Sequence, residues 1–285
     1  MFEADHSFDG LRYQLKKDIR VRLIDSQIHL FEPGADALAK ALLQVLLPPE
    51  QVIAEMDAAG VEKAYLVPGN SAANATCVEA ARRWPDRFRV MGILSLDKPE
   101  CRTLVDRWDE SGLLGARLVF PPYRKVSWLK DGTADWFWPR ADELRLPVMI
   151  WAPQQIDEIS KIADRYPNIR FVIDHMNLFV EDKGDVVTQA VTTLLPLARH
   201  PNIAVKVSAL PAHSNEAYPY RDMHPHIERV LQVFGPTRTF WGTDLTRRAY
   251  TYEQAISMFT EELPFMNEQQ LKEVMGEAAL RWIGW

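Results

Sequence analysis

The stretch PPEQVIAEMDAAGVEKAYLVP, residues 48–68, contains the unit that decides the fold. Two prolines precede a helical pattern and Gly60 follows it, which is the usual asymmetry between the start and the end of a helix. The run KAYLVP, residues 63–68, is mostly apolar, as in a strand that is buried on both faces. The stretch therefore predicts a helix followed by a strand of a parallel sheet.

The same alternation continues along the chain. Predicted strands cover residues 21–25, 63–68, 88–94, 115–120, 147–151, 170–174, 203–207 and 239–244, and predicted helices lie near 48–60, 71–85, 99–110, 134–145, 154–165, 185–199, 223–234 and 252–275. Eight such units suit a closed (β/α)8 TIM barrel better than an open sheet, whose glycine-rich first turn is absent here. We predict one α/β barrel domain over residues 21–285 and an N-terminal arm or lead-in over residues 1–20.

Composition narrows the class of protein. The 285 residues are 47% hydrophobic and 25% charged, as in ordinary globular proteins. The formal net charge of -6 argues against nucleic-acid binding, and the longest apolar stretch is too short to cross a membrane. The N-terminus lacks the apolar core of a secretion signal, and the two cysteines form no disulfide framework. We expect a cytoplasmic protein with two buried, reduced thiols.

The segment IDSQIHLF, residues 24–31, has a polar residue at every second position of a predicted strand end. A regular strand would place Asp25, Gln27 and His29 on one face. In a TIM barrel, catalytic groups lie at the carboxyl ends of the strands. Gln27 and His29 are therefore candidate catalytic residues, whereas Asp25 lies deeper and is expected to orient a neighbour.

Other strand ends contribute further candidates. His175 follows the sixth predicted strand and Asp244 follows the eighth, and each side chain could move a proton or bind a metal. The candidate substrate-binding residues lie at other strand ends or on the loop after strand seven, and they are Asn70, Arg117, Trp151, Arg221 and His224. Arg117 could bind a substrate carboxylate or pair with a buried acid such as Asp25. Lys206 is expected to pair with an acid in the barrel wall.

Three segments around these candidate residues resemble the amidohydrolase-related family of the amidohydrolase superfamily, whose signature starts Asp-x-His-x-His. The segments are IDSQIHLF (24–31), FVIDHMNL (171–178) and FWGTDLTR (240–247). The resemblance covers nearly the whole chain and implies a distorted (β/α)8 barrel that performs hydrolysis or decarboxylation. In that pattern His29 corresponds to the second signature histidine, His175 to the histidine of strand six, and Asp244 to the aspartate of strand eight.

Two departures from the family pattern bear on metal binding. Gln27 replaces the first signature histidine, and Trp151 stands where metal-binding members usually offer another histidine. An amide is a weak ligand for zinc, so the loss of two nitrogen donors favours a metal-free site. The chain then most resembles the metal-independent branch similar to 2-pyrone-4,6-dicarboxylate lactonase. Zinc or manganese bound by His29, His175 and Asp244 is the alternative.

A metal-free site predicts a hydrolase. Asp244 could take a proton from water, and His29, His175 and Gln27 could donate hydrogen bonds to the substrate carbonyl oxygen. Without a metal the leaving group must depart readily, which favours a carboxylated lactone or an activated ester as a small anionic substrate. We expect no cofactor and no nucleic-acid or membrane partner, and a homodimer is one option for the assembly.

Two other functions stay open. A metal-dependent decarboxylase of an unsaturated or aromatic carboxylic acid would place its metal on His29, His175 and Asp244. A non-catalytic binding protein on the same barrel would have lost its activity with the change to Gln27.

Overall fold

The computed structural model describes residues 21–41, 44–121, 127–247 and 250–285, so the predicted N-terminal arm lies outside the described residues. Its eight strands are parallel and lie side by side in chain order. They are Leu23–Leu30 (β1), Val61–Pro68 (β2), Phe88–Ile93 (β3), Gly115–Val119 (β4), Pro147–Trp151 (β5), Arg170–Ile173 (β6), Ile203–Ser208 (β7) and Thr239–Gly242 (β8). The end of β8 meets β1 through a hydrogen bond of 2.9 Å from Asp244 N to Gln27 O. The predicted TIM barrel is confirmed.

Helices follow the strands around the outside of the barrel. They are Asp36–Ala41 (α1), Pro49–Ala59 (α2), Asn74–Arg83 (α3), Pro99–Asp106 (α4), Phe137–Glu143 (α5), Ile156–Arg165 (α6), Asp185–Leu194 (α7), Leu210–His213 (α8), His224–Phe234 (α9), Tyr252–Thr260 (α10), Glu268–Lys272 (α11) and Ala278–Ile283 (α12). Short 3-10 turns cover Trp108–Glu110, Asp174–Asn177, Leu195–Arg199, Arg221–Met223, Pro236–Arg238 and Leu245–Arg247, and Glu273–Glu277 forms a π turn.

The prediction of a single helix over residues 252–275 is wrong. The chain forms α10 and α11 instead, and Pro264 lies between them. A proline inside a helix removes a hydrogen bond and clashes with the preceding turn, so the helix ends before it. None of the helices in the described ranges combines the length and the hydrophobicity that a membrane crossing requires.

The core has two layers. The larger one lies between the strands and the surrounding helices and contains Ile28, Leu30 and both buried free cysteines. The smaller one lies inside the barrel and includes Ile24, Tyr65, Met91, Met149, Val172, Ala204 and Phe240, one residue from each of seven strands. Helix α12 adds Ala278, Ala279 and Ile283 to the inner layer. The inner layer and α12 therefore fill one end of the barrel with apolar side chains.

Strand β1 does not alternate regularly. Asp25 pairs with Ala64 and Ile28 with Leu66, so three steps along β1 match two steps along β2. This extra residue is a β-bulge, which reverses the alternation of side chains beyond it. Accordingly, Ile24 packs in the inner layer but Ile28 packs in the outer one. The prediction that Asp25 shares a face with Gln27 and His29 is therefore wrong.

Candidate active site

A cavity of about 800 Å³ opens at the carboxyl ends of the strands. The predicted residues that line it are His29, Asn70, Arg117, Trp151 and His175. Gln27 and Asp244 are fully buried and lie behind this wall, where both side chains approach His29 Nε2. The structure therefore brings together the four predicted catalytic residues, two on the wall of the cavity and two behind it.

Asp25 binds neighbouring parts of the barrel and does not line the cavity. Its carboxylate accepts hydrogen bonds from Gln27 N at 3.0 Å, Thr243 N at 2.9 Å and Tyr252 Oη at 2.8 Å, and also from Thr243 Oγ1. These contacts join β1 to the segment that follows β8. Burial raises the pKa of Asp25 to about 6, and the four donors oppose that rise.

A chain of hydrogen bonds runs from Lys206 to His29. Lys206 Nζ lies 2.7 Å from Gln27 Oε1, and Gln27 Nε2 lies 3.1 Å from His29 Nε2. On the other side of the ring, His29 Nδ1 lies 2.9 Å from the backbone oxygen of Val67. A carbonyl oxygen only accepts hydrogen bonds, so the ring proton of neutral His29 lies on Nδ1, and Nε2 accepts from the Gln27 amide.

This arrangement changes the role of His29. Burial lowers its pKa to about 4, so the ring is neutral near pH 7. A neutral ring that carries its proton on Nδ1 has none on Nε2 to donate to a substrate. His29 therefore does not act as the predicted donor to the carbonyl oxygen, and the Gln27 amide donates to His29 instead.

Asp244 follows β8 in a left-handed backbone conformation, with φ of 56°. Its Oδ2 accepts a hydrogen bond from Arg247 Nε, and its Oδ1 lies 3.3 Å from both Gln44 Nε2 and His29 Nε2. Although burial alone would raise the pKa of Asp244, the guanidinium of Arg247 holds it below its usual range. Asp244 is therefore a buried carboxylate that stays ionised.

His175 lies on the Asp174–Asn177 turn directly after β6. The backbone is left-handed at His175, Met176 and Asn177, with φ of 51°, 50° and 61°. The Asn177 side chain holds this turn against the end of β5, because it donates to Ala152 O and accepts from Ala152 N, both at 3.0 Å. Left-handed residues other than glycine carry strain, which is often found at functional sites.

The two ring nitrogens of His175 have different surroundings. Nδ1 lies 2.9 Å from Ser208 Oγ, whereas the buried Nε2 has no hydrogen-bond partner among the described residues. Burial lowers the pKa of His175 to about 3, so this ring is also neutral. A buried polar atom without a partner costs about 1–3 kcal/mol. His175 lines the cavity, so a ligand bound there could supply the partner that its buried Nε2 lacks.

Asp174 links two buried cations beneath the cavity. Its Oδ2 accepts from Arg117 Nε at 2.8 Å, and its Oδ1 lies 2.9 Å from Lys206 Nζ. Burial alone would raise the pKa of Asp174, but Lys206 and Arg117 lower it to about 2. The predicted pairing of Lys206 with a buried acid is confirmed. Arg117 pairs with Asp174 rather than with Asp25, and it also lines the cavity.

Asn70 and Trp151 shape the cavity wall through fixed contacts. Asn70 donates to Glu32 Oε1 and accepts from Ala73 N, both at 2.9 Å. The indole nitrogen of Trp151 donates to Leu178 O at 2.7 Å, and its ring packs edge-on against Phe179. Trp151 therefore offers an apolar ring surface to a ligand.

The structure does not bring Arg221 and His224 to the cavity wall. Arg221 is an exposed side chain that pairs with Glu262 at 3.3 Å. His224 is the first residue of α9, and its Nε2 donates a hydrogen bond to the backbone oxygen of Pro219 at 2.9 Å. Both residues lie on the loop after β7, but their side chains are used within that loop and its neighbours.

Gln44, His213 and Arg247 are among the cavity-lining residues that were not predicted. Arg247 lies within the segment FWGTDLTR, three residues after Asp244. This spacing could have indicated that the two side chains pair. Gln44 reaches Asp244 across 200 residues of chain, and no local pattern indicates that contact. Arg247 Nη1 is buried and has no hydrogen-bond partner among the described residues.

The donor set does not fit a divalent cation as it stands. Within the described ranges, no group of three or more His, Cys, Asp and Glu side chains is arranged to hold a metal ion. The Gln27 amide donates to His29 Nε2, and Arg247 pairs with Asp244, so two of the three predicted ligands already contact N–H donors. A cation would have to displace both donors to bind there.

Comparison with known proteins agrees with this fold. Residues 24–285 match the amidohydrolase family. The chain belongs to this family. It is accordingly an enzyme of the hydrolase type, which argues against the alternative of a non-catalytic binding protein.

One curated relative matches part of this amidohydrolase. The chain is 34% identical to an L-fucono-1,5-lactonase from Burkholderia ambifaria over 95 residues, which is 32% of this chain and 31% of the relative. The match thus spans about a third of the length of that lactonase.

Two solved structures share its fold. An amidohydrolase from Burkholderia multivorans with bound zinc superposes with a TM-score of 0.77 and 19% identity, covering 92% of this chain and 99% of the other. A probable 2-pyrone-4,6-dicarboxylic acid hydrolase from Acinetobacter baumannii has a TM-score of 0.68 and 16% identity, covering 93% and 100%. At these identities the likeness shows the fold alone.

Proposed function

We propose that this amidohydrolase hydrolyses a small lactone that carries a carboxylate, without a metal ion. One observation carries the proposal: two buried polar atoms without partners, His175 Nε2 and Arg247 Nη1, belong to residues that line one cavity and surround the buried Asp244. Unpaired buried groups are rare in proteins, and they are expected where a ligand completes them.

In the proposed reaction, His175 Nε2 binds the attacking water, and Asp244 is the proton acceptor. The water oxygen attacks the lactone carbonyl carbon while its proton passes to the carboxylate. The bond from that carbon to the ring oxygen then breaks, and Asp244 returns the proton to the ring oxygen. The product is an open hydroxy acid whose new carboxyl group releases its remaining proton to solvent, so hydrolysis adds one negative charge to the ligand.

Arg247 supplies the donor that His29 lacks. Its Nε holds Asp244, which leaves the unpartnered Nη1 to donate a hydrogen bond to the carbonyl oxygen as negative charge develops there. The developing negative charge also raises the pKa of Asp244. It does so because an anion beside the guanidinium of Arg247 partly cancels the positive charge that lowers this pKa. Asp244 thus becomes a stronger base as the reaction proceeds.

Arg117 is the proposed ligand of the substrate carboxylate. Its Nε is fixed by Asp174, so the planar guanidinium is held in one orientation while its terminal nitrogens stay available to the cavity. Guanidinium groups bind carboxylates through two parallel hydrogen bonds. The cations Arg117 and Arg247 on one wall favour an anionic substrate.

A sugar lactone is the second candidate. His213 Nδ1 donates to Asp182 O at 3.1 Å, so its Nε2 is an acceptor, and Glu181 also lines the cavity. Acceptors of this kind suit substrate hydroxyl groups, and the partial match to an L-fucono-1,5-lactonase points the same way. The cytoplasmic location and the homodimer stay predictions.

The test is turnover of a substrate panel by the metal-depleted enzyme. The panel contains carboxylated lactones, sugar lactones, activated aryl esters and unsaturated or aromatic acids, with acid release and carbon dioxide measured separately. We expect acid release from carboxylated lactones that persists after treatment with a chelator. Carbon dioxide without acid release would favour the decarboxylase instead, and activity that returns only with added zinc or manganese would reject the metal-free mechanism.

Asp244→Asn tests the proposed base on the same substrate. Because the amide cannot accept the proton, we expect kcat to fall by about 10²–10⁴-fold. Asp97→Asn is the matched control, since this exposed acid lies outside the cavity wall. Circular dichroism and thermal unfolding check that both variants fold. Unchanged turnover in folded Asp244→Asn would remove Asp244 from the base role.

A further inference from the structure

Lys206 is a fully buried cation that the proposed reaction does not use. Its side chain has no exposed surface, and it does not line the cavity. Its Nζ lies 2.9 Å from Asp174 Oδ1 and 2.7 Å from Gln27 Oε1. Burying an ammonium group is costly, so its position at this point of the barrel requires an explanation.

The contact with Lys206 fixes which way the Gln27 amide points. An ammonium group has donors and no acceptor, so the Gln27 atom beside it must be the oxygen. The NH2 group of Gln27 then necessarily lies on the other side, 3.1 Å from His29 Nε2. Val67 O fixes the ring proton of His29 on Nδ1, which leaves the Nε2 lone pair for that NH2 group.

We infer that Lys206 is a positioning residue that sets the metal preference of the site by holding the Gln27 amide across His29 Nε2. This inference rests on the metal-free part of the proposed function, and it identifies the residues responsible. Gln27 blocks the lone pair that a metal would need, and Lys206 prevents the amide from turning its oxygen toward that position.

The inference makes the metal preference reversible by substitution. Gln27→Glu keeps an oxygen for Lys206 but replaces the NH2 group by a second acceptor, so His29 Nε2 loses its donor and gains a carboxylate beside it. This variant keeps the charge of Lys206 paired and is the one expected to fold best. Gln27→His with Lys206→Met replaces the amide by an imidazole and removes the competing charge.

Zinc binding to the purified, metal-stripped proteins provides the first test. We expect Gln27→Glu and the double variant to bind zinc about 10- to 100-fold more tightly than the unsubstituted chain, a change typical of altered surroundings of metal ligands. Ser95→Glu is the matched control, because it adds a carboxylate to another part of the cavity wall. Equal zinc binding in Ser95→Glu and Gln27→Glu would overturn the inference.

Nitrogen NMR of the histidine rings tests the positioning role of Lys206 itself. In Lys206→Met the Gln27 amide is free to turn, so the Nε2 signal of His29 should shift. His213 is the internal control, because its Nδ1 also donates to a backbone oxygen but Lys206 does not contact it. A His29 signal that is unchanged in the folded variant would reject the role, whereas a variant that does not fold leaves Gln27→Glu as the deciding protein.

The outcome can be separated from that of the proposed lactonase activity. If no lactone is hydrolysed but the zinc and NMR results are as expected, the proposed substrate is wrong and the role of Lys206 stands. If the unsubstituted chain binds zinc as tightly as Gln27→Glu does, the role of Lys206 is wrong whatever the substrate.

Discussion

His29 at the end of β1 and His175 after β6 are the same residue type in similar surroundings, yet they differ in what their neighbours leave free. Both rings are buried and neutral, with a pKa of about 4 for His29 and about 3 for His175. Both nitrogens of His29 have partners, whereas Nε2 of His175 has none among the described residues. The two histidines therefore differ in the availability of a ring nitrogen and not in residue type or in burial.

The difference has a local origin in the backbone. The bulge in β1 turns Gln27 into the barrel beside His29, so an amide is available to pair with the ring. After β6 the left-handed turn lifts His175 toward the cavity, and Ser208 reaches only its Nδ1. Both ring nitrogens of His29 therefore have partners, whereas one ring nitrogen of His175 has none among the described residues.

Replacing each imidazole in turn should produce the largest difference between the two histidines. We expect His175→Gln to lower kcat by about 10²–10⁴-fold, because the variant loses the group that holds the attacking water. His29→Gln should cause a smaller decrease, since His29 acts on Gln27 and Asp244 and not on the water. Steady-state kinetics on the lactone substrate measures both. Equal losses in two folded variants would contradict the distinction between the two rings.

Both buried rings should also lower the stability of the fold at acid pH. A buried histidine whose pKa lies below the ordinary value of 6.5 binds fewer protons in the folded state than in the unfolded one. The free energy of unfolding therefore falls as the pH drops below 6.5, until the folded pKa near 4 for His29 or near 3 for His175 is reached. Shifts of this size correspond to about 3 kcal/mol for His29 and about 5 kcal/mol for His175.

Urea unfolding at pH 7 and pH 4.5 measures this loss. Replacing either histidine by Gln should reduce the difference between the two pH values, because one titrating ring is gone. Bound ligand at His175 Nε2 should alter the contribution of His175 and leave that of His29 nearly unchanged. Parallel pH profiles for the unsubstituted chain and both variants would show that the rings titrate as they do in the unfolded chain.

The smallest effects concern the arginines inside and outside the cavity. Arg117→Gln should raise KM by about 10- to 100-fold, because a charge-assisted hydrogen bond to the substrate is lost. Arg221→Gln should leave kcat and KM unchanged and alter the free energy of unfolding by less than about 1 kcal/mol, as expected for an exposed ion pair. A raised KM in Arg221→Gln would place the loop after β7 over the bound substrate.

The sequence predicts strands, spacing and motif residues well because these depend on local patterns. The β5 strand, for example, is predicted at its observed bounds, since PVMIW is a short apolar run next to a helical pattern. The motif segments also indicate His175 and Asp244, whose side chains do converge.

What the sequence does not predict depends on contacts between distant residues. The bulge after Asp25 is set by pairing with β2, so a strict alternation misplaces that side chain. The role of His29 depends on the proton that Val67 O fixes, and the contact of Gln44 with Asp244 joins segments from opposite ends of the chain. The spacing of apolar residues along the sequence carries no information on any of these contacts.

The apolar plug that α12 forms at one end of the barrel has a consequence for turnover. Because this end of the barrel is filled, molecules reach the cavity only from the opposite end. In the proposed reaction, the product would therefore leave by the same route that the substrate enters. The product of the proposed reaction is more negative than the substrate, and it departs against the attraction of Arg117 and Arg247. Product inhibition that weakens with added salt is the behaviour expected of such a cavity.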